Sequence, residues 1–86
     1  MDKNWSMDLE HNEYEKDVDL IIEDGIKAVE ETAVGCYVNL VTSENFGNPT
    51  DYLLPLLSNV FGDSIKMKYI DQCGCGGYVL RVWKIN

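Results

Sequence analysis

The residues best equipped for chemistry sit in one pentapeptide, Cys73-Gly74-Cys75-Gly76-Gly77. It holds two of the chain's three cysteines, with no bulky side chain among its five residues. A thiolate is both a nucleophile and a soft metal ligand, so two of them one residue apart offer either covalent or coordination chemistry. The plain alternative is a turn, because glycine adopts positive φ at little cost and a strand-to-strand connection often requires it. A turn accounts for the glycines; it does not account for the paired thiols.

As a metal site, Cys73 and Cys75 would need helpers, and Cys36 with His11 would complete a Cys₃His set suited to zinc or copper(I). The spacing departs from the usual pair of Cys-x₂₋₄-Cys knuckles, and His11 lies in an acidic run that favours an exposed, solvated ring. A redox dithiol fits less well, since the Cys-x-x-Cys spacing at a helix N-terminus that lowers a thiol pKa is missing. Cys36 leads an apolar strand pattern and reads as a small buried hydrophobe. There is no Gly-x-Ser-x-Gly elbow, no lysine-bearing phosphate loop and no His-Glu-x-x-His, and a single histidine is available as a base. No catalytic residues are assigned, and the chain is not expected to be an enzyme.

The composition narrows the partners. Fifteen acidic side chains against seven basic give a net charge of −8 in 86 residues. That balance argues against tracking nucleic-acid phosphates and against adsorption to anionic lipid, both of which need a basic face. The charge is concentrated: residues 1–31 contain 11 acids and 3 bases, whereas residues 32–86 contain 4 of each. An acidic helix face is ordinarily solvated; its functional reading is an acidic protein-interaction domain that steers toward a basic partner. No apolar run approaches the ~20 residues that span a bilayer, and no signal-peptide pattern is visible. A cytoplasmic location is therefore expected, where three cysteines need not pair. The length fits one domain over residues 1–86.

Hydrophobic periodicity supplies the elements that must position the pentapeptide. Trp5, Met7 and Leu9 alternate with Ser6 and Asp8, the pattern of a half-buried strand. Val18, Ile21, Ile22, Gly25, Ile26 and Val29 form one helical stripe, started either by an Asn12/Glu15 capping box or by Asp17. Gly25 on that stripe suggests the close approach of a strand. Cys36 to Thr42 reads as a second strand, with Cys36, Val38 and Leu40 on one face and Tyr37, Asn39 and Val41 on the other. Ser43 to Thr50 reads as a loop and helix start. The second helix is expected from about Asp51 to Phe61, with Leu53, Leu56, Leu57 and Val60 as its stripe; a start at Pro49 would instead place Pro55 in the interior and imply a kink. Gly62 is a stop signal. Ile65, Met67 and Tyr69 alternate with Lys66 and Lys68, and Tyr78, Leu80 and Val82 alternate with Val79, Arg81 and Trp83.

The resulting order is β-α-β-α-β-β. It predicts an α/β (two-layer α+β) sandwich: a four-stranded mixed sheet, two helices on one face, three parallel strands and a C-terminal antiparallel hairpin. Polar residues recurring at Ser6, Asp8, Asn39, Lys66, Lys68 and Arg81 predict an open second face. A fourth strand exposed at the sheet edge would permit pairing between copies, so a monomer or a homodimer is expected.

With Asn4-Trp5-Ser6, Val38-Asn39-Leu40-Val41-Thr42, Asn48-Pro49 before Tyr52-Leu53, and Asp71-Gln72-Cys73-Gly74-Cys75-Gly76-Gly77-Tyr78-Val79, nearly the whole chain resembles the CGCGG family of small proteins. These are regarded as substrates of a radical-SAM modifying enzyme, akin to ribosomally made peptide precursors. The resemblance implies that this protein is acted upon, with such a maturase as partner. Radical-SAM maturases can join a cysteine sulfur to a neighbouring carbon; Cys73 and Cys75, flanked by unhindered glycine α-carbons, would suit that chemistry, and the acidic helical part would serve for recognition. Relatives carry His-rich stretches; here the corresponding loop reads Glu44-Asn45-Phe46-Gly47 and His11 stands alone, which weakens a metal role for the loop. Many modified precursors have a disordered core, whereas this motif leads into an apolar strand.

Overall fold

A computed structural model describes residues 3–43, 46–72 and 77–86. Strand β1 (Trp5–Leu9) leads through a 3-10 turn (Asn12–Glu15) into helix α1 (Val18–Glu31). Strand β2 (Tyr37–Thr42) and helix α2 (Pro49–Phe61) follow, and a second 3-10 turn (Gly62–Ser64) precedes β3 (Ile65–Gln72) and β4 (Tyr78–Lys84). The sheet order is β1-β2-β4-β3; β1 and β2 pair in parallel, and β4 runs antiparallel to both β2 and β3. The expected α/β class, the element order and the mixed four-stranded sheet are therefore present, with β1, β2 and β3 sharing one direction.

One expectation is reversed by this order. Strand β4 is interior, hydrogen-bonded on both sides, and the edges are β1 and β3. The edge pairing imagined for the fourth strand has no unpaired backbone to use. Local pattern could not show this, because a hairpin partner can sit at an edge or be inserted between earlier strands with identical alternation.

The core is one apolar cluster between the helices and one sheet face: Leu9, Val38, Leu40, Leu80, Val82 and Ile65 from the strands meet Ile21, Val29, Leu53 and Leu57 from the helices. Helix α1 begins at Asp17, whose carboxylate accepts from the Leu20 amide at 3.2 Å, while Asn12–Glu15 forms the separate turn. A Cβ on the buried Gly25 would lie 3.4 Å from Leu53 Cδ1 and 3.7 Å from Leu40 Cδ1. The close approach is thus made by α2 as well as by a strand.

Helix α2 starts two residues before the expected point, at Pro49, with the Asn48 side chain accepting from Thr50 N at 2.9 Å. Pro55 is consequently interior and cannot donate to the Asp51 carbonyl one turn back. Its apolar stripe is also narrower than expected: Leu53 and Leu57 are buried, but Leu56 is 38% and Val60 54% exposed. Cys36 stands just outside β2 and is half-buried rather than buried. Among the described residues, no helix is long and apolar enough to cross a membrane.

Candidate functional site

The pentapeptide joins the two strands of the C-terminal hairpin. Gln72 pairs with Tyr78, so the connection between β3 and β4 is residues 73–77. Cys73, Gly74, Cys75 and Gly76 lie outside the described residues; Gly77 is described and buried. A register shift interrupts β3 between Tyr69 and Asp71, just before the connection. Such an irregularity adds local twist and re-aims the end of a strand.

The register also fixes which other segments share this end of the sheet. Thr42, the last residue of β2, pairs with Tyr78 on one side and Leu9 on the other. The segment after β1, carrying His11, and the segment after β2 therefore leave from the same end as the hairpin connection. In sheets with parallel strands, loops at the carboxyl ends are the usual place for function.

His11 at this end is engaged by carboxylates: Nδ1 lies 2.8 Å from Asp8 Oδ2 and Nε2 lies 3.9 Å from Glu10 Oε1. The His11 hydrogen bond holds the Asp8 carboxyl below its ordinary pKa. Asp8, Glu10 and His11 form a small group of oxygen and nitrogen ligands, exposed at Asp8 and His11 and half-buried at Glu10, that sequence spacing did not single out. Tyr14 anchors the turn after it, donating to Asp24 Oδ2 at 2.6 Å. That bond pushes the phenol up to about 12, with burial adding to the shift.

Two buried hydroxyls add an unresolved polarity here. Thr42 Oγ1, on a residue fully buried at the end of β2, and Tyr52 OH on α2 both lack a hydrogen-bond partner among the described residues. Burial raises the Tyr52 pKa, and the Thr42 hydroxyl opposes that shift only partly.

Cys36 lies at the other end. Its carbonyl accepts from Lys84 N at 2.9 Å, and the neighbouring Gly35 N donates to Lys84 O at 2.7 Å. The six residues of β2 separate it from the His11 end by about 20 Å at the usual rise per strand residue. No one metal ion can ligate both Cys36 and His11 across that distance, and the other two residues of the Cys₃His set, Cys73 and Cys75, lie outside the described residues. Strand alternation placed Cys36 near a core face; only the register showed which end of the sheet it occupies.

The motif residues outside the pentapeptide build the frame. Asn4 Oδ1 accepts from Tyr37 N at 3.0 Å, extending the β1–β2 pairing by a side chain. The Trp5 indole donates to Thr32 Oγ1 at 2.9 Å, and Thr32 in turn donates to Ala28 O at 2.8 Å, tying β1 to the end of α1. Ser6 accepts from Asn39, and Asn48 caps α2. Beneath Trp5 and Met7, a shallow groove of about 190 Å³ opens toward Asp24, Lys27 and Glu31.

A family model described as "Putative radical SAM target protein" matches residues 1–84. No curated protein and no solved structure matches the chain. With all but its last two residues covered, the chain belongs to that family.

Proposed function

We propose that this protein is the substrate of a radical-SAM enzyme that modifies the Cys73–Gly77 connection, and that it has no catalytic activity of its own. The observation that carries the reading is the family match across residues 1–84, in a chain whose paired thiols fall in the hairpin connection. The exact Cys73-Gly74-Cys75-Gly76-Gly77 sequence supports placement in the CGCGG group and points to the cysteines as the reacting residues.

The chemistry is formation of a thioether between a Cys73 or Cys75 sulfur and an adjacent α-carbon. The S–H and C–H bonds break and an S–C bond forms, so the chain loses two hydrogen atoms per link, which amounts to two protons and two electrons. The enzyme's SAM-derived radical takes one hydrogen atom, and its iron–sulfur cluster takes the remaining electron, with the proton going to solvent. Glycine α-carbons beside the thiols carry no side chain to obstruct the new bond. The hairpin register contributes by fixing where the ends of the connection stand, at Gln72 and Tyr78. A folded frame would lower the entropic cost of presenting the segment to an active site.

Intact mass and thiol alkylation of the protein co-expressed with its radical-SAM enzyme test this directly. The expected result is loss of two hydrogens per link with one fewer alkylatable cysteine. An unchanged mass with all three cysteines alkylated refutes it.

A further inference from the structure

The face of the sheet away from the helices carries an ordered array that neither the core nor the hairpin connection uses. The registers align Ser6, Asn39, Arg81 and Lys68 in a single row across all four strands. Asn39 Nδ2 donates to Ser6 Oγ at 3.3 Å, and Arg81 Nε donates to Asn39 Oδ1 at 2.8 Å. In the next row, Tyr37, Trp83 and Lys66 stand side by side. The Arg81 guanidinium lies 4.2 Å from the Tyr37 ring centre and 5.8 Å from that of Trp83, and Lys66 Nζ is 6.0 Å from Trp83.

This array is cationic. Among the described residues, no carboxylate pairs with Lys66, Lys68 or Arg81. Lys68 and Arg81 are directly opposite each other, a like-charge pairing that disfavours the sheet unless something else uses it. Asp8, on the same face, is already held by His11. The exposed acids of α1, Asp19 and Glu23, belong to the far layer, and screening limits their reach to about 8 Å at physiological salt.

We propose that this open face docks the modifying enzyme, through a carboxylate-bearing strip on the enzyme that pairs with Lys66, Lys68 and Arg81. The inference rests on the substrate reading above and departs from recognition through the acidic helix. Strands β3 and β4 lead from the array to the connection: Lys68 is about 13 Å along β3 from its last residue, Gln72, at the usual rise. An ordinary interface of ~800 Å² per partner, roughly 30 Å across, covers the cationic rows and still reaches the connection. Tyr37 and Trp83 supply the rigid aromatic contacts that concentrate binding energy, while the cations set orientation and association rate.

The test compares three proteins in co-expression and with the purified radical-SAM enzyme, reading the initial modification rate and Kd: wild type, Lys66→Glu/Lys68→Glu, and Asp19→Lys/Glu23→Lys on α1. The sheet variant is expected to lose about tenfold or more in rate and affinity, as for reversal of interfacial charges, with the helix variant close to wild type. Both lysines are exposed, so a preserved thermal melt shows the fold intact; Arg81→Gln, which keeps a hydrogen-bonding group opposite Asn39, should fall between. Modification of wild type and the sheet variant at equal rates overturns the docking surface while leaving the substrate reading in place. Loss confined to the helix variant overturns it in favour of the acidic layer. Absence of modification in the wild type removes the substrate reading and this inference together. A dimer or a bound U₁₅ oligonucleotide that disappears in the sheet variant would reassign the face to another occupant.

Discussion

The two ends of the sheet are built on different terms. At the Cys36 end, separate segments are knitted together: Lys84 exchanges backbone hydrogen bonds with Gly35 and Cys36, and its ammonium donates to the carbonyls of Val29, Glu30 and Thr32 at 3.2–3.5 Å. A cation from β4 thereby caps the C-terminus of α1, whose last turn has no base of its own. Trp5 and Thr32 close the same corner. At the hairpin end, the Asp8–His11 pair is exposed, the Thr42 and Tyr52 hydroxyls have no partner among the described residues, and a tilted Tyr69–Tyr78 ring contact flanks the connection. The contrast teaches that stability and presentation are divided along the strands: one end fastens the layers, and the other delivers the thiol-bearing connection.

Cysteine replacement should break this division most sharply. Cys73→Ser and Cys75→Ser are each expected to remove a link from the modified protein with little change in melting temperature. Cys36→Ser should leave the modification intact. Intact mass and thermal melts of the three variants decide the matter, and a modification that requires Cys36 would erase the contrast.

The fastened end predicts the largest stability effect. Lys84→Met keeps the aliphatic length but removes the ammonium from three carbonyls, and should cost about 1–2 kcal/mol, read by urea denaturation. The hairpin end predicts a change of opposite sign. Thr42→Val removes a buried hydroxyl that has no partner and should stabilise by about 1 kcal/mol. A loss of stability would mean that Thr42 does bond Tyr52.

The smallest effects are electrostatic. One of the five tyrosines should titrate at about 12 by ultraviolet absorbance, and Tyr14→Phe should abolish that phase. Because the folded phenol holds its proton above the ordinary value near 10, its contribution to stability is complete below pH 10 and is lost between about 10 and 12. Asp8 runs the other way: its folded pKa is depressed, so its contribution is present above the ordinary carboxylate range and fades as pH falls through the folded value. Both partners of the Asp8–His11 pair are mostly exposed, so Asp8→Asn should cost under about 0.5 kcal/mol.

Much of this was legible in the order of residues. Period-two alternation marked all four strands and their inward residues, the 3.6-residue stripe marked α1, and Gly62 marked the end of α2, because these patterns follow from local geometry. The polar residues Ser6, Asn39, Lys66, Lys68 and Arg81 announced an open face for the same reason. The pentapeptide announced itself through an unusual pair of thiols. Helix α2 was less legible: Asn48 and Pro49 form a good start, but Pro55 argued for a later one, and tertiary packing of Leu53 and Leu57 outweighed its cost.

Sequence by itself thus determined most of the elements, their inner faces and the place of the paired thiols in the last hairpin, since each depends on neighbours within a few residues. Only the tertiary structure decided that β4 lies between β2 and β3, that Cys36 and His11 stand at opposite ends, and that Lys84 caps a helix more than fifty residues earlier. It also decided that Ser6, Asn39, Arg81 and Lys68 form one row. Those facts depend on strand order and register, which are set by the joint packing of both helices on one face and leave no trace in any local period.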